Sequence, residues 1–129
     1  DASSDAGNSS PLPPGSAPTD ALTHRRTDAP VLPPPVAPGN THVYAQYTIR
    51  AADRDALGAA LKVQGIPTAV YYPKCLHEQP VFADCGCRLG DFPVSETASR
   101  EVISLPMHPF LSGSDQDRVV AAVRQAVGR

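Results

Sequence analysis

An aromatic pair and two side chains that can carry positive charge lie within one short stretch of the chain, VYYPKCLHEQP at residues 70–80. The phenol of Tyr71 or Tyr72, the ammonium of Lys74 and the imidazole of His77 are suited to an anionic, oxygen-rich ligand such as a carboxylate, a phosphate or a sugar. The alternative is one core tyrosine, one surface tyrosine and two solvated side chains. On their own, the residues favour this second interpretation, because isolated polar loop residues carry little specificity.

Three cysteines follow in the same region and raise the question of a metal site. Cys75 and His77 form a C-x-H pair, and Cys85 and Cys87 form a C-x-C pair. Structural zinc sites usually place roughly two to four residues between paired ligands, whereas a single residue separates each pair here. An odd number of cysteines also argues against a disulfide framework. The spacing therefore favours ordinary reduced thiols over zinc.

No catalytic apparatus is visible in the rest of the sequence. It contains no Gly-rich phosphate loop, paired-carboxylate motif or nucleophile elbow. His108 lies in the segment LPMHPF, between two prolines. A histidine in that setting more often shapes a turn than takes part in chemistry. No catalytic residue is predicted on these grounds.

A strand-helix-strand unit is predicted to position the loop. Val43–Arg50 alternates in polarity, which is typical of a half-buried strand. Asp53 can cap a helix that ends before Gly65, a residue suited to a left-handed C-terminal position. The second strand is predicted over Thr68–Tyr72. Since successive strand side chains point to opposite faces, one tyrosine of the pair is expected in the core and the other beside the polar loop.

Three further helices are predicted downstream. A short one covers Gln79–Asp84, and a second begins at Pro93 and runs through PVSETASREVI, with Val94, Ala98 and Val102 on its buried face. SLPMHP is expected to be extended, and a last helix begins near Ser114 with Val120, Val123 and Val127 buried. The predicted fold is a small two-layer α/β domain of two or three strands with helices on one face.

Composition divides the 129 residues into two parts. Residues 1–41 hold nine of the fifteen prolines and almost no apolar periodicity, so a disordered tail or the remnant of an interdomain segment is predicted there. Residues 42–129 form the predicted domain. The only methionine is Met107, which indicates a processed chain or a fragment.

The charge balance narrows the classes of partner and the location. A formal net charge of −2 with interspersed signs argues against nucleic acid or an anionic membrane as the main partner. No stretch has the length of a transmembrane span, and the acidic, Ser-rich start lacks the apolar core of a signal peptide. A cytoplasmic location is expected.

Three segments in order resemble one family: GIPTAVYYPKCLHEQPVF, GDFPVSE and SLPMHPFLS. Together they are similar to the C-terminal small domain of the pyridoxal-phosphate-dependent sugar-nucleotide aminotransferases, the DegT/DnrJ/EryC1/StrS group. The resemblance covers roughly residues 43–127. Within the family, the segment VYYPKCLHEQP is most similar to enzymes that aminate UDP-2-acetamido-2-deoxy-3-oxo-glucuronate for surface polysaccharide synthesis. It implies transfer of an amino group from glutamate to a keto sugar nucleotide on a homodimeric fold-type-I enzyme. It also implies that Tyr71 and Tyr72 lie near the sugar and its carboxylate.

One requirement of that chemistry is missing from the chain. Pyridoxal-phosphate enzymes bind the cofactor through a lysine, which in this family lies in the large domain. Lys62 and Lys74 are the only lysines here, and neither occupies the required place. The resemblance therefore implies that this chain alone holds no cofactor and is inactive. The alternative is a non-catalytic module that binds a sugar nucleotide or pairs with another subunit.

Overall fold

The computed structural model describes residues 30–128. They form an antiparallel sheet with the strand order β1-β2-β3 and three α-helices, which confirms the predicted small α/β fold. The strands are Val31–Leu32 (β1), Tyr47–Ala51 (β2) and Val102–Leu105 (β3). The α-helices are Arg54–Val63 (α1), Pro93–Glu101 (α2) and Gly113–Ala126 (α3).

The first strand lies upstream of the domain start predicted at residue 42. Val31 and Leu32 pair with Ala51 and Arg50 of β2, so the Pro-rich segment provides one edge of the sheet. Val31 also packs against the core. A strand of two residues is too short to show the alternation by which strands are predicted. The rest of the predicted tail, residues 1–29, lies outside the described residues.

The central strand β2 is shorter than the strand predicted over Val43–Arg50. Tyr44 has a φ of 47°, and its N–H donates to His42 Nδ1 over 2.8 Å, so the chain turns before the strand begins. Val43 is consequently exposed and does not contribute to the core. From Tyr47 onward the predicted alternation is present, with Ile49 buried in the middle of the strand.

The first helix agrees with its predicted end signals. The Asp53 carboxylate accepts from the Ala56 N–H over 3.0 Å at the N-terminus. At the C-terminus Gly65 has a φ of 70°, and the N–H groups of Gly65 and Ile66 donate to the carbonyls of Lys62 and Leu61. This is a Schellman motif, which satisfies carbonyls at the helix end that would otherwise lack partners.

The third strand corrects the prediction that the helix from Pro93 runs on to Ile103. α2 ends at Glu101, and Val102 adopts extended dihedral angles. Val102 and Ile103 pair with Arg50 and Ile49 of β2. β-branched side chains fit a pleated, half-buried surface, and in this strand Ile103 is buried in the core.

The buried face of α2 also differs from its prediction. Val94 is 60% exposed, whereas the buried residues of the helix are the polar Glu96 and Ser99. The C-terminal end of α2 is held by Arg54, whose Nη1 donates to the carbonyls of Ser99 and Val102 over 3.3 and 3.0 Å. This helix is therefore fixed to the rest of the domain largely by polar contacts.

The last helix is capped two residues before the predicted start at Ser114. Its N-cap is Ser112, whose Oγ accepts from the Asp115 N–H over 3.1 Å. Val123 and Val127 pack against the core as predicted, but Val120 is exposed and Ala122 is the fully buried residue. Within residues 30–128, no helix is both long enough and apolar enough to cross a bilayer.

The core lies between the sheet and the helices α1 and α3. A Cβ on Gly58 of α1 would lie 3.3 Å from Ile103 Cδ1, so α1 approaches β3 closely at the residue that has no side chain. Arg50 follows Ile49 in β2, so its side chain points to the opposite face of the sheet. There its Nη2 lies 2.6 Å from Glu101 Oε2 of α2. The core residues are Ile49, Ala51, Leu57, Leu61, Ile66, Ile103 and Ala122.

Candidate functional site

The segment after α1 runs beside β3 and then leaves the sheet. Ala69 exchanges two backbone hydrogen bonds with Ser104, over 3.1 and 2.7 Å. The strand predicted over Thr68–Tyr72 is thus reduced to a single bridge. Pro67 and Pro73 flank it, and because proline has no N–H to donate, neither can extend the ladder.

The tyrosine pair follows this bridge and lies outside the core. Tyr71 is 49% exposed and Tyr72 is 74% exposed, across a cis peptide bond. The two rings meet edge to face, with 6.1 Å between their centroids. The prediction that one tyrosine enters the core is therefore wrong, because strand alternation no longer applies once the chain leaves the sheet after Ala69.

The loop beyond the tyrosines is built from two short 3₁₀ helices, Leu76–Glu78 and Pro80–Cys85. The Glu78 carboxylate accepts from the Cys75 N–H over 3.0 Å and closes the first of them. The second corresponds to the helix predicted over Gln79–Asp84. It has Pro80 in its first turn, and Gly86 follows it in the left-handed conformation.

A buried pair, His77 and Glu96, joins this loop to α2. His77 Nε2 lies 3.0 Å from Glu96 Oε1, and the side chains are only 8% and 6% exposed. The same carboxylate oxygen accepts from the N–H groups of Gly90 and Phe92 over 2.8 and 3.3 Å. The Phe92 ring lies against the imidazole, with 4.9 Å between centroids. Glu96 Oε1 thus connects the loop at His77 and the segment of Gly90 and Phe92 to helix α2.

The electrostatics of Glu96 follow from these contacts. Burial acts to raise the pKa of the carboxyl, but the hydrogen bonds from Gly90, Phe92 and His77, together with the charge of His77, hold its pKa below the ordinary value. Glu96 is therefore a carboxylate whose negative charge is already matched by donors. It leaves little acceptor capacity for a ligand on that oxygen.

An open cleft of about 740 Å³ lies between the tyrosine pair, the loop and α2. All four candidate residues from the sequence line it: Tyr71, Tyr72, Lys74 and His77. The structure thus brings them together, although the His77 imidazole is engaged by Glu96. Further lining side chains are Gln79, Phe82, Phe92 and Ser95, together with the three cysteines.

The chemistry of the cleft is suited to binding. Two exposed phenols and the Lys74 ammonium supply hydrogen bonds and positive charge, and Phe82 and Phe92 supply apolar walls. A few polar groups on largely apolar walls are typical of small-molecule sites. A sugar with an acidic substituent presents a matching set of hydroxyls, ring carbons and negative charge.

Sequence reasoning missed Glu96 and Phe92. Glu96 lies in the first turn of a helix that begins at proline, and a glutamate there often reaches back to accept from N–H groups ahead of the helix. That signal is present in GDFPVSE. Its link to His77, which lies 19 residues away in sequence, has no local signature.

The three cysteines are also the candidate zinc ligands of the sequence. In the part of the chain that the structure describes, no three histidine, cysteine or acidic side chains are grouped as metal ligands. Cys75, Cys85 and Cys87 are free thiols. Outside the cleft, His108 accepts from the Phe110 N–H over 3.2 Å and shapes the turn there, as expected.

The described residues do not fit pyridoxal phosphate as a resident cofactor. Covalent attachment requires a lysine enclosed in the site, and both lysines, Lys62 on α1 and Lys74 at the open cleft, are exposed. No side-chain nitrogen or oxygen buried within residues 30–128 lacks a hydrogen-bond partner that a cofactor could supply. No step involving the cofactor is assigned to these residues.

Comparison with known proteins places this geometry in a family. The profile of the DegT/DnrJ/EryC1/StrS aminotransferase family matches residues 19–124. A pleiotropic regulatory protein from Geobacillus stearothermophilus is 50% identical over 74% of this chain and 26% of its own length. A UDP-2-acetamido-2-deoxy-3-oxo-D-glucuronate aminotransferase from Pseudomonas aeruginosa is 45% identical over 65% of this chain and 23% of its own.

A solved structure agrees with both the sequence matches and the fold. A DegT/DnrJ/EryC1/StrS aminotransferase from Brucella abortus superposes with a TM-score of 0.71 and 40% identity, over 78% of this chain and 27% of that one. The chain therefore spans about a quarter of the length of the relatives that it matches. The family match covers most of the chain, and the family resemblance of its three sequence segments is confirmed. The chain belongs to the DegT/DnrJ/EryC1/StrS aminotransferase family.

Proposed function

We propose that this chain is the C-terminal small domain of a pyridoxal-phosphate-dependent sugar-nucleotide aminotransferase. The domain comprises residues 42–129 with β1 added at its edge, and the segment before it is a tail or an interdomain remnant. The intact homodimeric enzyme transfers an amino group from glutamate to a keto sugar nucleotide for surface polysaccharide synthesis. Family membership and the name of the Pseudomonas relative support this proposal.

The observation that carries the proposal is the convergence of Tyr71, Tyr72 and Lys74 on one open cleft. In this proposal the phenols contact the sugar hydroxyls, and Lys74 pairs with an acidic group on the sugar. His77 supports these residues indirectly. Its contact with Glu96 fixes the loop that carries Lys74, and for that reason His77 has a positioning role at the site.

The substrate class can be tested with two stable sugar nucleotides. UDP-2-acetamido-2-deoxyglucuronate carries a carboxylate where UDP-N-acetylglucosamine carries a hydroxymethyl group. Calorimetric titration of the 129-residue chain is expected to show a preference of up to about fivefold for the carboxylate ligand, because an exposed ion pair contributes at most about 1 kcal/mol. The preference should disappear in Lys74→Met.

The chain offers a matched control for this experiment, because its other lysine lies on α1 away from the cleft. Lys62→Met removes the same charge and should leave the preference intact. Equal losses in the two variants would show a nonspecific charge effect. The absence of saturable binding to either ligand would contradict the proposed site.

We also propose that this chain by itself does not catalyse transamination. Neither of its lysines is enclosed, so incubation with pyridoxal phosphate followed by borohydride reduction should leave no stoichiometric adduct on the protein. Peptide mapping after reduction provides the measurement. One molar equivalent fixed on Lys74, and absent from Lys62, would contradict this part of the proposal.

A second candidate function is favoured by one comparison. The relative with 50% identity is named a pleiotropic regulatory protein. In this alternative the domain is a non-catalytic module that binds a sugar nucleotide or pairs with another subunit. Sedimentation equilibrium with and without the UDP-sugars distinguishes the two: a concentration-dependent dimer that binds no ligand would favour subunit pairing.

A further inference from the structure

We propose that Cys85 and Cys87 form a dithiol site that reacts reversibly with a low-molecular-weight disulfide such as glutathione disulfide. The product is an intrachain disulfide between the two residues in the wall of the cleft. This inference does not depend on the proposed function, because it concerns only the local geometry and exposure of the thiols.

The backbone brings the two side chains together. Cys85 ends the 3₁₀ helix Pro80–Cys85, and Gly86 follows in the left-handed conformation with φ 76° and ψ −1°. Two residues of extended chain span at most about 7 Å, and the turn at Gly86 shortens that distance. A disulfide needs Cα atoms within roughly 4.4–6.8 Å of each other. The pair therefore requires little backbone movement to close.

The sulfur of each cysteine lies against the backbone of the other cysteine. The Cys87 N–H donates to Cys85 Sγ over 3.4 Å, and Cys87 Sγ donates to the Cys85 carbonyl over 3.9 Å. Cys85 is exposed and Cys87 partly exposed. A small-molecule disulfide can therefore reach the pair from solvent.

The contacts also give the two thiols different roles. Hydrogen bonding with Cys85 raises the pKa of the Cys87 thiol, and partial burial and the negative charges of Cys85 and Asp91 add to the effect. A raised pKa lowers the thiolate fraction, and the thiolate is the attacking species. Cys85, the more exposed of the two, is thus the first nucleophile and Cys87 the resolving thiol.

The exchange balances in two steps. The Cys85 thiolate attacks one sulfur of glutathione disulfide, a Cys85–glutathione disulfide forms, and one glutathione thiolate leaves. The Cys87 thiolate then attacks Cys85 Sγ and displaces the second glutathione. Two protein thiols are oxidised, one glutathione disulfide is reduced to two glutathiones, and the two thiol protons end on them. Because exposed disulfides are easily reduced, excess glutathione reverses the reaction.

Cys75 serves as an internal reference, since it is a third free thiol that lines the same cleft. The reduced 129-residue chain is equilibrated with glutathione and glutathione disulfide at several ratios, quenched with acid and alkylated. Cleavage before aspartate separates the thiols: residues 84–90, DCGCRLG, hold the pair, and residues 55–83 hold Cys75. Mass spectrometry then reports each fragment.

Under oxidising ratios, the 84–90 fragment is expected to carry no alkyl group and to be lighter than its dithiol form by two hydrogens. The 55–83 fragment, which holds Cys75, is expected to be alkylated. Excess glutathione should restore two alkylation sites. Cys75→Ser should form the same product, while Cys85→Ser and Cys87→Ser should not, with circular dichroism confirming that each variant is folded. A persistent glutathione adduct at Cys85, pairing with Cys75, or full alkylation of all three thiols at every ratio would overturn the proposal.

Discussion

In the sheet and the two helices packed on it, the contacts that hold the chain are apolar, and they come from Ile49, Leu57, Leu61 and Ile103. The cleft segment, residues 71–92, is fixed differently. Its large apolar side chains, including Leu76, Val81 and Leu89, are exposed, and its main attachment to α2 is the single carboxylate of Glu96. Many apolar contacts thus stabilise the core, whereas the cleft segment depends mainly on the hydrogen bonds that Glu96 accepts. Glu96 and its donors are called the polar centre below. Binding sites are often drawn from such less stable parts of a fold.

Removing a core contact is expected to have the largest effect. Leu61 is fully buried, and Leu61→Ala should lower the free energy of unfolding by about 3 kcal/mol because it leaves a cavity. Val63 lies on the same helix but is 89% exposed, so Val63→Ala should change stability by less than about 0.5 kcal/mol. Urea denaturation followed by circular dichroism measures both. Equal effects would contradict the described packing of α1.

Removing the polar centre should act mainly on the cleft. Glu96→Ala leaves the N–H groups of Gly90 and Phe92 and the His77 ring without their acceptor, so a decrease in Tm on the order of 10 °C is expected. Hydrogen exchange of the Gly90 and Phe92 amides should accelerate more than that of the β2 amides. Glu101→Ala, at a partly exposed ion pair on the same helix, is the control and should spare those two amides.

Removing the contact between Arg54 of α1 and the end of α2 should have an intermediate effect on the free energy of unfolding. Arg54 donates to two carbonyls at the end of α2, and its side chain is mostly buried. Arg54→Ala should lower the free energy of unfolding by about 1.5 kcal/mol, the lower end of the range for hydrogen bonds that involve a charged group. Arg54→Lys should recover only part of the loss, because a single ammonium cannot reproduce the guanidinium geometry. Full recovery in thermal unfolding would contradict this account of Arg54.

The smallest expected effect is on the pH dependence of Tm in the acidic range. The pKa of Glu96 is lowered in the folded state, so its contribution to stability is present above the ordinary value of 4.5 and is lost as the pH falls through the folded-state pKa. Tm measured between pH 5 and pH 3 should therefore fall more steeply for the natural chain than for Glu96→Gln. Parallel curves would show that Glu96 is not the group responsible.

The same division explains which features could be predicted from the sequence. The ends of α1 are predictable because two neighbouring residues, Asp53 and Gly65, decide them. The pattern assigns the first half of β3, Val102 and Ile103, to a helix because the strand character of these residues depends on pairing with β2 far along the chain. The His77–Glu96 contact joins residues 19 positions apart, and no periodicity signals such a pair. The positions of Tyr71 and Tyr72 likewise depend on where the chain leaves the sheet.

The claim that the cleft binds a sugar nucleotide can be tested most directly by NMR. Amide spectra of the ¹⁵N-labelled chain are recorded during titration with UDP-2-acetamido-2-deoxyglucuronate. Saturable shifts are expected at Tyr71, Tyr72 and Lys74 and in the first turn of α2, while the exposed face of α3 stays unchanged. Shifts confined to α1 and α3, or no saturable shift at any residue, would contradict the account.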